Sequence, residues 1–287
     1  MHHMSRKSWP GLLLVATAFV LLYATVFADL WRNWERDPNY SHGYLILPIV
    51  ACLLWQQRDR LAMVPLRPNA WGLIVISVGV AMLLVGTAGV EYFLMRLSMI
   101  GIAAGIVIYL FGWMMLRALA FPLVFSLMMI PLPAILFYQV AFPLQLLATR
   151  FGVALLRLSQ VPVLREGNII VLTSTTLEVA EACSGIRSVL SLLALAMLYG
   201  YLTETRFMRR ALVAASSIPI AIVANGFRVA GTGLAATYLG PDAAEGFFHT
   251  FSGWLVFVAA FLMLTVLARL LRAVPTLPGF RSQEAGI

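Results

Sequence analysis

Three residues in the last part of the chain, Cys183, Arg228 and His249, are of the types that build a thiol-based catalytic site. A thiolate, not a thiol, attacks a carbonyl, and a free thiol titrating near about 8.5 is mostly protonated at neutral pH. A helix N-terminus and nearby cations lower that value. Cys183 stands where an apolar run begins, with Arg187 one turn further on. His249 can act as base towards the thiol and then as acid towards a leaving amine. Glu245, four residues before it, can orient the imidazole where that stretch is helical. Arg228 can stabilise the oxyanion of a tetrahedral intermediate, because a fixed cation in a poorly hydrated site acts at full strength. Each residue also has a plainer reading. A cysteine at a helix end often only packs, an arginine at the end of a span often snorkels to headgroups, and Glu178 and Glu181 fit as capping or solvated acids.

The elements that must position these residues follow from composition. Of 287 residues 61% are hydrophobic and 11% charged, and the mean hydropathy is +0.91. Soluble domains carry about 25% charged residues, so this chain cannot clothe a core in a solvated shell and needs lipid around it. A helix crossing a hydrocarbon core of about 30 Å takes roughly 20 apolar residues. On that basis an all-α integral membrane protein with about eight spans is expected, at 10–28, 43–56, 71–90, 97–115, 118–137, 184–202, 211–228 and 251–271. The second is short, and Pro122, Pro131 and Pro133 should kink or break the fifth. Residues 138–183 should not span. Phe142, Leu146, Phe151 and Leu155 among Gln145, Arg150 and Arg157 suit a helix lying at the interface. The alternation around Glu166-Gly167-Asn168 then reads as a small β-hairpin. One polytopic domain over 1–287 is expected, without internal repeats.

Charge orients the spans. With an inside N-terminus, the cytoplasmic segments hold 12 bases against three acids and the other side eight arginines against nine acids, or +9 against −1. That is the cytoplasmic excess of Lys and Arg that sets membrane topology. It also accounts for the net charge of +8 better than nucleic acid does, since the bases are scattered between apolar runs. Both termini are then cytoplasmic. Cys183 opens span six on the outer side, span seven returns there and ends at Arg228, and His249 opens span eight after a short outer loop.

Other classes are disfavoured. Two cysteines, Cys52 and Cys183, give neither a disulfide framework nor a zinc site, no HExxH occurs, and no cofactor or metal is implied. The first apolar run follows Arg6 and Lys7 but continues into Asp29–Asn39 without an A-x-A site, so it is a retained span rather than a cleaved signal. The leading Met1–Met4 reads as a tag remnant and is set aside.

The string Glu181-Ala182-Cys183-Ser184-Gly185-Ile186-Arg187-Ser188, then Asn225-Gly226-Phe227-Arg228, then His249 with Gly253, resembles the signature of the exosortase/archaeosortase family. Tyr40-Ser41-His42-Gly43 and the Pro131-Leu132-Pro133 region leading to Phe142-Pro143-Leu144-Gln145 resemble bacterial exosortases as well. The resemblance covers roughly 29–270 and implies that Cys183, Arg228 and His249 are catalytic. It implies a sortase-like cysteine peptidase or transpeptidase of the bacterial inner membrane, associated with exopolysaccharide systems. Its partners would be membrane-anchored proteins bearing a C-terminal PEP-CTERM signal, that is, a Pro-Glu-Pro motif, a hydrophobic helix and a basic cluster. The additional C-terminal domain of some members is not expected, since the chain runs about 16 residues past the last span. The substrate glutamate would need a cation, and Arg165 and Arg187 stand on the outer side. Glu181, Ser184, Asn225 and Glu245 are candidate supporting residues. His42 and Ser41 either line the same outer pocket or form a helix-entry turn.

Two other functions stay open on sequence alone. A transporter uses broken spans and buried arginines such as Arg96, although no inverted repeat is visible. A structural membrane subunit would keep the three residues for packing. Whether an acyl-enzyme is resolved by water or by an amine has no motif.

Overall fold

In hydrocarbon each backbone N–H and C=O must find its partner within the segment, so long apolar runs fold as helices. The computed structural model describes residues 9–173, 175–179, 185–240 and 247–273, with Trp9 and 247–252 described by backbone alone. Two units divide the chain, Met1–Phe137 and Tyr138–Ile287.

The first unit begins with α1 (Trp9–Arg36), a 3-10 turn at Pro38–Tyr40, α2 (Gly43–Gln56) and the short α3 (Arg58–Ala62). It continues through α4 (Trp71–Ala88), α5 (Tyr92–Phe111), α6 (Trp113–Ala118) and α7 (Ala120–Ser126), which ends in a 3-10 turn at Leu127–Met129. The helices α4 and α5 form a hairpin joined only by Gly89-Val90-Glu91. Glycines let their backbones approach: a Cβ on Gly72 would lie 2.4 Å from the Tyr109 N, and one on Gly79 2.5 Å from Ile102. Val90 in the connection sits at φ 51, in the left-handed region. α1 packs on α5, where the buried Tyr23 and Ser98 hydroxyls share a hydrogen bond of 2.8 Å.

The proline-rich stretch after α7 has few backbone donors, and side chains from the α1–α2 corner satisfy what remains. Trp34 Nε1 donates to the Met129 carbonyl at 2.9 Å, and the Leu132 N–H donates to the Tyr40 hydroxyl at 3.1 Å. The expected span at 118–137 is therefore not one helix. The expected span at 43–56 is a helix of 14 residues, too short by itself to cross about 30 Å of hydrocarbon.

The second unit contains most of α8 (Ala134–Leu158), a three-stranded sheet of β1 (Val163–Glu166), β2 (Ile169–Leu172) and β3 (Thr176–Glu178), then α9 (Ile186–Thr203), α10 (Phe207–Tyr238) and α11 (Phe247–Ala273). The hairpin expected at Glu166-Gly167-Asn168 is present, with Glu166 opposite Ile169 and Gly167 at φ +64; β3 adds an antiparallel partner to β2. Leu156, Ile170, Leu172, Val229 and Ala236 bury together, joining the sheet to α8 and α10. Leu192, Ala196, Val213, Ala221, Ala260 and Leu264 form the core of α9, α10 and α11. At the far end of these helices the buried Glu204 pairs with Arg272, and its carbonyl accepts from Arg210 Nε at 2.7 Å.

Among the described residues seven helices are long and apolar enough to cross a membrane: α1, α4, α5, α8, α9, α10 and α11. The residues expected to form an interfacial helix after 138 belong to α8, a continuous 25-residue helix that contains Pro143 and is long and apolar enough to cross a membrane. One helix end needs correction. The helix that carries span seven does not stop at Arg228; α10 runs ten residues further, because Val229, Gly233 and Ala236 close against α8 and the sheet.

Candidate active site

Two of the candidate residues, Asn225 and Arg228, lie in the second unit on α10. Asn225 and Arg228 are three residues apart and so share a face. Asn225 is 2% exposed, and its carboxamide lies against Gly185: a Cβ there would be 2.7 Å from its Cγ and 2.8 Å from its Nδ2. Gly185 is the N-cap of α9 at φ +81, a conformation that costs glycine little and other residues more. It is two residues beyond Cys183. The start of α9 is therefore set by contact between a backbone without a side chain and a buried amide on α10.

One turn along α10, the half-buried Arg228 lies against Gly253 of α11, with its Cζ and Nη2 each 3.4 Å from a Cβ built at Gly253. His249, in the first turn of α11, is four residues before Gly253. Four helical residues advance about 6 Å and return to the same face, so the His249 backbone is one turn from the guanidinium contact. Arg228 is thus packed beside the turn that carries His249, while Asn225 is packed beside the residue that follows the Cys183-Ser184 pair.

Of the expected site residues, Cys183, Glu181, Ser184 and Glu245 lie outside the described residues, as does the side chain of His249. Arg187 is exposed in the first turn of α9. Arg165 lies on β1 and donates to the Gly167 carbonyl at 3.1 Å within its own hairpin. His42 belongs to the first unit, where Nε2 and the Met128 carbonyl are 3.1 Å apart. Burial pushes its imidazole below the ordinary value, and the carbonyls of Met128 and Asn39, which favour the protonated ring, offset this only in part. What residue types alone did not reveal is that Gly185 and Gly253 are the surfaces on which Asn225 and Arg228 rest. The available signal was a glycine two residues after the cysteine and another one turn after the histidine.

These elements define a multi-pass all-α membrane protein carrying a small antiparallel sheet. Residues 34–266 match the family described as transmembrane exosortase, and the chain belongs to that family. No curated protein and no solved structure matches it. Exosortases are membrane cysteine transpeptidases that act on secreted proteins, so the chain is assigned to membrane protein sorting in that general sense.

Proposed function

We propose that Cys183, Arg228 and His249 form the catalytic set of a membrane-embedded cysteine peptidase-transpeptidase that cleaves C-terminal PEP-CTERM signals. The observation that supports this most directly is the pair of contacts on α10. Arg228 rests on Gly253, one turn from His249, and Asn225 rests on Gly185, two residues from Cys183.

In this reading the Cys183 thiolate adds to the carbonyl carbon of the scissile peptide, and the oxyanion that forms faces the Arg228 guanidinium. Collapse to a thioester expels the amine, which takes its proton from the His249 imidazolium. An amine acceptor or water then attacks the thioester, His249 removes its proton, and the thiolate is released. Glu245 orients the imidazole, and Asn225 fixes the start of α9. Arg165 and Arg187 are the cations proposed for the substrate glutamate.

Sidedness follows from charge. Arg206, Arg209, Arg210, Arg269 and Arg272 gather at the end of α9–α11 remote from Arg228. Basic residues mark the cytoplasmic side. Arg228 is 21 residues along α10 from Phe207, about 30 Å at 1.5 Å per residue, which is one hydrocarbon thickness. The reaction would therefore face the periplasm of a bacterial inner membrane.

The test is C-terminal processing of a tagged, signal-bearing protein in cells expressing Cys183→Ala, Arg228→Ala or His249→Ala. Each should lower processing by about a thousandfold or more, the scale of losing a nucleophile or its partner. Mass spectrometry of the product's new C-terminus separates a free carboxylate from a transferred amine. Normal processing by the Cys183→Ala protein would sink the proposal.

A further inference from the structure

An arginine on a membrane-crossing helix is costly unless its charge is compensated. Arg96, in the second turn of α5, is 6% exposed, and its Nε is buried without a hydrogen-bond partner. Among the described residues its guanidinium makes no hydrogen bond or ion pair, and it lies over the Tyr92 ring, 5.7 Å from the centroid. The ionisable groups around it are Asp29, Glu91, Tyr92 and Tyr40. Both acids are engaged elsewhere, Asp29 with Arg32 and Glu91 with the Leu94 N–H at 2.7 Å. The Tyr40 hydroxyl accepts from Leu132.

Asn33, one turn after Asp29 on α1, and Asn39, next to Tyr40, hold the opposite deficit beside two of these neighbours. Asn33 Oδ1 on α1 and Asn39 Oδ1 in the 3-10 turn are buried acceptors with no donor among the described residues. Asn39 itself is 8% exposed. Unmatched donors and unmatched acceptors together fit a ligand that carries an oxyanion and, next to it, hydroxyl or ammonium donors. Exposed aromatics set the level. Tyr92 is 49% and Trp31 57% exposed, and Trp31 packs edge-on against Tyr44 with centroids 4.7 Å apart. Amphipathic rings of this kind sit among lipid headgroups, where phosphate is the abundant oxyanion.

The geometry points to a phosphate-binding site in the first unit, with Arg96 taking the phosphate oxygens and Asn33 and Asn39 taking the donors beside it. The site is independent of the proposed chemistry in the second unit. The source is either a phospholipid headgroup or free phosphate.

The full-length protein, stripped of lipid in detergent, is followed by thermal unfolding with phosphatidylglycerol, with diacylglycerol of the same chains, and with inorganic phosphate. Phosphatidylglycerol should raise the midpoint of the natural chain and diacylglycerol should not. Arg96→Gln should weaken the apparent affinity by about tenfold or more, as expected for a lost charge-assisted hydrogen bond. Asn39→Ala, which keeps the arginine, should show a smaller loss and serves if Arg96→Gln does not fold. Equal stabilisation by inorganic phosphate would assign the site to the free ion. Equal stabilisation by diacylglycerol, or responses of both variants like that of the natural chain, would overturn the site. So would an Asp29→Asn chain as unstable as Arg96→Gln with no phosphate response in the natural chain, because Arg96 would then pair with Asp29.

Discussion

Gly253 separates two consequences of size at a single position. A Cβ there meets the Arg228 guanidinium at 3.4 Å, ordinary contact, so Gly253→Ala should keep most of the processing activity. Gly253→Leu fills the guanidinium's place and should lower activity about as far as Arg228→Lys, with folded yield maintained; equal activity of the two Gly253 variants would disconnect this contact from function. His42 gives a prediction in pH. Its half-buried imidazole is held below the ordinary 6.5, so below pH 6.5 the unfolded chain takes up the proton first. Its contribution is complete above 6.5 and is lost as pH falls through the lowered native value. Thermal midpoints should drop over that window, and His42→Gln should flatten the drop; parallel curves would refute it. At this scale the sequence pointed to residue types and to three positions. The glycine contacts were not legible, because they depend on how closely two helices approach.

Where helices meet, small residues decide the spacing. A Cβ on Gly226 would lie 2.0 Å from Cδ1 of Phe151, and one on Gly152 2.5 Å from Cγ1 of Val229. Gly226→Ala should therefore destabilise by about 1–3 kcal/mol, the usual cost of overpacking, and adding Phe151→Leu should restore part of it. Thermal unfolding of the single and double variants measures this, and an unchanged midpoint for Gly226→Ala would show that α8 and α10 separate easily. These crossings also explain which elements could be read in advance. The hairpin was legible because Gly167-Asn168 are turn residues between alternating strands. The extension of α10 was hidden by Gly231, Gly233 and Thr232, which are poor helix formers in water but allow close packing in a membrane protein. The continuity of α8 from Ala134 was hidden by Pro143, which stands inside the helix.

For the molecule as a whole, composition was sufficient to identify an all-α membrane protein, but not which helices reach spanning length. Length and apolarity select seven, including α8 and excluding α2. Hydropathy windows could not separate a proline-broken run from the helix that follows it. The orientation proposed from charge is open to direct measurement. A reporter active only in the cytoplasm should work when fused after residue 205 and fail after residue 240; the reverse pattern would place the candidate site on the cytoplasmic face. The α4–α5 hairpin carries a consequence for biosynthesis. Its contacts lie within one uninterrupted stretch, Trp71–Phe111, and its strained connection at Val90 is held by the pairing of its own two arms. A nascent chain can therefore release this pair into the bilayer as a finished module before the ribosome reaches Cys183, Arg228 or His249.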